Sequence, residues 1–155
     1  MSTHTATISW EAGPHGFRRG RFSRVHRWQF DGGLEITAAA APSVIPAQWT
    51  DAAAIDPEEA FVAAIASCHM MSFLHVANRA GLDVARYDDA AVGHLAKRSD
   101  GERWIARVEL APRVTWGEGE PPDAAAEAAL HEHAHAICFI ANSVASEIVV
   151  TPHRP

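Results

Sequence analysis

The chain has 155 residues, the size of one ordinary domain, so a second independent core is not expected. With 48% hydrophobic and 21% charged residues it falls in the globular class rather than among disordered or fibrous chains. The formal net charge of −6 argues against a phosphate-binding surface, and the basic cluster Arg18, Arg19, Arg21, Arg24 and Arg27 is too short to make a nucleic-acid interface.

The longest uninterrupted apolar run, Ala60 to Ala66, is far short of the ~20 residues that span a bilayer. Met1 to Trp10 is polar and lacks the apolar stretch of a signal peptide. No membrane partner is therefore expected, and the expected compartment is the cytoplasm. Structural disulfides are rare there, so two cysteines read as catalytic, metal-binding or inert.

In chain order, Ala6 to Trp10, Val25 to Phe30 and Leu34 to Thr37 read as strands, with Asp31-Gly32-Gly33 as a tight hairpin turn. Ala38 to Ile55 contains Pro42 and Pro46 without a clear period and reads as a loop. Asp56 then suits an N-cap, Pro57 the first helical position, Glu59 a capping box and Gly81 a C-cap, which predicts a helix from about 57 to 80. Phe61, Ile65, Cys68, Ser72 and His75 share one face of it. The other faces carry Val62, Ala66, Met70 and Leu74, so the helix is expected to be buried nearly all round, by a sheet and by a partner subunit. Val84 to Ala96 and Trp104 to Val114 read as two strands around Ser99-Asp100-Gly101. Pro121, Pro122 and Asp123 open a second helix, about 123 to 138. Asn142-Ser143 is a break, and a last strand covers about 146 to 151. The order β-β-β-α-β-β-α-β lacks strict βαβ alternation and places the chain in the α+β class, as a single domain over 1–155.

Cys68 lies three turns into the first helix, beyond the reach of the helix dipole, so either it is a small core residue or a cation from elsewhere activates it. Cys138, near the end of the second helix, reads alone as core, and nothing in the sequence says whether the two sulfurs meet. Glu58 suits the first turn electrostatically. Ten residues of helix span ~15 Å, so Glu58 cannot touch Cys68 of its own chain, and any role there needs an intermediary or a second subunit. His131, His135 and Cys138 form a His-x3-His-x2-Cys face that could hold zinc, but no fourth ligand is evident and a solvated, partly buried histidine face is the favoured reading.

The run from Asp56-Pro57-Glu58 to Ser67-Cys68 resembles the Pro-Glu-to-Cys helix of the OsmC/Ohr family, the osmotically inducible and organic hydroperoxide resistance proteins. Cys138-Phe139-Ile140-Ala141-Asn142-Ser143 is similar to the second cysteine region of an OsmC-like branch. The resemblance implies an intertwined homodimer in which paired cysteine helices lie against two bent antiparallel sheets. It also implies peroxidase activity on organic hydroperoxides, without a cofactor or metal. In this picture Cys68 attacks the peroxide, Cys138 resolves the sulfenic acid as a disulfide, and Glu58 of the partner orients an essential arginine. Arg24 best suits one branch's position for that arginine and Arg27 is next, because Ala47 to Asp56, where another branch carries it, contains no arginine. An external dithiol, of lipoyl or thioredoxin type, would restore the thiols. Phe139 stands where many members have proline, and Asp56 where asparagine is frequent. Phe61, Met70, Met71 and Phe73 suggest room for an apolar substrate group. A non-enzymatic, diverged ligand-binding domain is the other reading within the same scaffold.

Overall fold

Asp56 and Glu59 close a reciprocal cap. Glu59 N donates to Asp56 Oδ1 at 2.7 Å, and Asp56 N donates to Glu59 Oε2 at 3.1 Å. Two backbone donors with no partner inside the helix are thereby satisfied. Helix α1, Pro57–Arg79, follows. It stops at Gly81, which adopts φ +75°, a left-handed conformation open to glycine at little cost. Leu82 N donates to Ala77 O and Gly81 N to Asn78 O, the pair of bonds of a Schellman end.

The computed structural model describes residues 2–13 and 16–153. They form two compact units, Met1–Ala60 and Phe61–Pro155. In the first, strands β1 (Ala6–Ser9), β2 (His26–Phe30) and β3 (Glu35–Ala38) make an antiparallel sheet in that order. The expected hairpin turn is present, with Gly33 at φ +84° donating its N–H to Phe30 O at 3.0 Å. Residues 39–55 run as a loop that holds one 3-10 turn, Ala47–Trp49.

In the second unit the two strands predicted for 84–96 and 104–114 are four: β4 (Val84–Asp89), β5 (Val92–Lys97), β6 (Arg103–Leu110) and β7 (Pro112–Trp116). They form one long hairpin broken in the middle, so that β4 pairs with β7 in one sheet and β5 with β6 in another. The break has a chemical cause. Ala111 N donates to the Asp89 carboxylate at 2.8 Å instead of to a strand, and Pro112 has no N–H to give. Helix α2, Ala124–Ile137, is capped by Asp123, whose Oδ1 accepts from Ala126 N at 2.8 Å. The last strand, β8 (Glu147–Val150), joins β6 in parallel register, Arg107 opposite Glu147, so this sheet is not purely antiparallel.

α1 serves both sheets. Its first half packs Ile65 on Val108 and Leu110, with Phe61 and Val62 alongside. Its second half packs Phe73 and Ala77 with Val114 and Ala134. Gly93 of β5 makes room for the helix, since a Cβ there would sit 2.6 Å from Val62 Cγ2. The buried stripe is Ile65, His69, Phe73, Val76 and Ala77. The helix is not buried all round within the chain, because Met71 stays 58% and Leu74 36% exposed on the other side. By length and composition alone α1 is apolar enough to cross a bilayer, which its interrupted apolar runs conceal. Here its buried stripe packs on strands and on α2.

Candidate active site

α2 ends at Cys138, whose backbone leaves the helix for an extended conformation, φ −71° and ψ 114°. The following residues fold back over the sulfur. Ala141 N approaches Cys138 Sγ at 3.5 Å, and the Ile140 backbone also bonds it. Asn142 explains this turn: its Nδ2 donates to the carbonyls of Ala136 (3.0 Å) and Cys138 (2.9 Å), and its backbone N donates to Cys138 O at 3.0 Å. Carbonyls that a helix end leaves unpaired are thus satisfied by a side chain. Ser143 Oγ bonds Phe139 O at 2.8 Å and tightens the same loop.

Both cysteines are free thiols, Cys138 fully buried and Cys68 partly exposed. The Cys68 thiol lies close enough to Cys138 to act on its proton. Burial pushes the Cys138 thiol above its usual range, and the neighbouring Cys68 thiol pushes it the same way. The backbone N–H groups of Ala141 and Ile140 pull it down, by less. The Cys138 thiol therefore holds its proton above the ordinary thiol range.

Beside the thiols lies a buried imidazole pair. His69, one residue after Cys68, places Nε2 3.0 Å from Nδ1 of His131 on α2. The rings are parallel within 8°, and His131 also stacks on Phe73 at 4.2 Å. Burial lowers both imidazoles to about 4, and second to burial His135 acts on His69, and His69 on His131. His131 thus faces another imidazole rather than forming a zinc face with His135 and Cys138. Among the described residues no three His, Cys, Asp or Glu side chains converge to hold a metal ion. His133 is exposed.

Arg24 lies in the first unit. Its Nη1 donates to Phe22 O at 2.6 Å and to Gly20 O at 3.4 Å, and its guanidinium sits 3.7 Å over the Phe22 ring. Arg27 pairs with Glu35 at 3.6 Å across β2 and β3. Glu58 occupies the first turn of α1, half-buried. Of the expected site residues, Cys68 and Cys138 are brought together within one unit. His69 went unnoticed in the sequence, since it lies 62 residues from its partner, and Asn142 was read as a break and as part of the second cysteine motif, without a role of its own.

Of the residues suggested for an apolar pocket, Phe73 is fully buried core, whereas Met71 is exposed. Exposed apolar surface near the thiols comes instead from Ile137 (38%) and Phe139 (83%), which flank Cys138.

The fold and the two free thiols place the chain in the OsmC/Ohr class. The chain belongs to the OsmC-like protein family, which it matches over residues 50–153. An OsmC-like protein of unknown function from Vibrio cholerae is 42% identical, with a TM-score of 0.95, covering 99% of this chain and 100% of that one. Two further structures share the fold. An organic hydroperoxide resistance protein from Elizabethkingia anophelis is 20% identical with a TM-score of 0.70, covering 98% of this chain and 94% of that one. The organic hydroperoxide resistance protein OhrB of Bacillus subtilis is 21% identical with a TM-score of 0.68, covering 98% and 97%. No curated protein matches the chain.

Proposed function

We propose that this protein is a two-cysteine peroxidase that reduces organic hydroperoxides. The supporting observation is the asymmetry of the thiol pair. Cys68 is partly exposed, while its neighbour Cys138 is buried and holds its proton more tightly than an ordinary thiol. The attacking species is a thiolate, a role the accessible member of the pair suits better than the buried one.

In the proposed reaction the Cys68 thiolate attacks the outer oxygen of R–O–O–H. The O–O bond breaks, the alkoxide takes a proton and leaves as the alcohol, and Cys68 becomes a sulfenic acid. The Cys138 sulfur then attacks Cys68, the sulfenic hydroxyl leaves as water with the thiol's proton, and a disulfide forms. An external dithiol of lipoyl or thioredoxin type reduces it by exchange. Arg24 is proposed to steady the thiolate and the peroxide oxygen, since a guanidinium stays charged and presents several fixed donors. Glu58 is proposed to orient that arginine from a second subunit. The exposed apolar side of α1 and the exposed Phe139 support a homodimer. No cofactor is required, and the proposed compartment is the cytoplasm.

Steady-state turnover of cumene and tert-butyl hydroperoxide with a dithiol reductant tests this. Wild type turns over and Cys68→Ser does not; equal rates would remove Cys68 from the reaction. The absence of arginine from residues 47–56 favours a second reading, a non-enzymatic OsmC-like ligand-binding domain, for which both variants would be inert.

A further inference from the structure

We propose that His69 and His131 are positioning residues whose hydrogen bond fixes the register of α1 against α2, so that Cys68 and Cys138 can close into a disulfide. Two pairs of side chains cross between these helices. Cys68 and Cys138 form one; His69 and His131, bonded at 3.0 Å, form the other. On α1 the two members are adjacent residues. On α2 they are seven residues apart, just under two turns, and so lie on the same side of the helix.

The apolar contacts between the helices do not fix their register equally well. Burial of Phe73, Ala77 and Ala134 is non-directional and tolerates a slide of the helices. A hydrogen bond does not. A shift of one helical turn, ~5.4 Å, takes a 3.0 Å N···N contact well beyond bonding range. The bond is also costly to lose. His69 is 1% and His131 3% exposed, and their outer nitrogens, His69 Nδ1 and His131 Nε2, have no hydrogen-bond partner. Among the described residues the inner bond is the hydrogen bond that each ring makes, and breaking it strands two buried polar groups. It also requires one ring nitrogen to donate and the other to accept.

The biological use of the clamp rests on the peroxidase reading, but closure can be tested without peroxide. A diazenedicarboxamide oxidant takes two electrons and two protons from the thiols, reducing its N=N bond to a hydrazine as the S–S bond forms. Two polar substitutions separate position from mere packing. His131→Asn puts an amide where Nδ1 sits and can still meet His69. His131→Gln puts it where Nε2 sits and cannot. The rate of disulfide closure is read by loss of two hydrogens in intact mass, with circular dichroism checking the fold. The expected result is closure within about threefold of wild type for Asn and slowing of about tenfold or more for Gln. Closure of the Gln variant at the wild-type rate, or an Asn variant as slow as Gln, overturns the proposal. A wild type that closes with the diazene but not with cumene hydroperoxide removes the peroxidase reading and leaves the clamp standing.

Discussion

The buried thiol of Cys138 lies beside Cys68, although 70 residues separate them in the chain. The pair is asymmetric, because burial raises the Cys138 thiol while Cys68 is partly exposed. Replacing Cys138 should therefore affect the two half-reactions differently. In Cys138→Ser, one equivalent of hydroperoxide is consumed and the Cys68 sulfenic acid accumulates, trappable by dimedone. Multiple turnover with a dithiol reductant then falls at least tenfold. Wild-type multiple turnover in this variant would show that Cys138 does not resolve the intermediate.

Acid should destabilise the fold through the imidazole pair. Both rings are lowered from 6.5 to about 4, chiefly by burial. A histidine with a depressed folded pKa is more protonated when unfolded, so stability rises with pH across this window. The contribution is complete above pH 6.5 and is lost as pH falls from 6.5 towards 4, on the order of 3 kcal/mol for each ring. Urea unfolding at several pH values checks it. In His69→Gln/His131→Asn the slope between pH 6.5 and 4 should flatten, and an unchanged slope would assign it to other groups.

Asn142→Ala should loosen the turn that covers the Cys138 sulfur. Its Nδ2 satisfies two carbonyls at the end of α2, so the loss should cost about 1–2 kcal/mol. The measurement is denaturant unfolding together with the rate at which Cys138 is alkylated in Cys68→Ser. Both should report a more open turn; unchanged alkylation would mean that the sulfur is covered by other contacts.

Gly93→Ala forces a Cβ into Val62. The added methyl should cost about 1–3 kcal/mol by overpacking. Gly93→Ala/Val62→Ala should recover much of the loss, because the second change vacates the space that the first requires. Thermal unfolding of the single and double variants checks this, and independent losses would place the strain elsewhere.

Helix α1 was legible in the sequence because its limits depend on local chemistry. Asp56 and Glu59 cap one end and Gly81 the other, as their spacing predicts. The same holds for the Asp31-Gly32-Gly33 turn and for the Asp123 cap of α2. The strands of the long hairpin were read as two rather than four because Ala90, Ala91 and Ala111 carry no turn signal. The available cue was Pro112, and the bond that makes the break, Asp89 to Ala111, joins residues 22 apart. The histidine pair was illegible for the same reason, and the cysteine pair was reached only through the family resemblance. Each depends on how α1 meets α2, which no local pattern encodes. Met71 and Leu74 remain exposed within the chain, on the side of α1 that the apolar pattern assigns to a partner subunit.

The most direct test of the two-cysteine account is intact mass after one equivalent of cumene hydroperoxide, with and without Cys138. The account predicts that wild type loses two hydrogens and that Cys138→Ser gains one oxygen, located on Cys68 by peptide mapping. Unchanged mass in wild type, or oxygen gained on a residue other than Cys68, would contradict it.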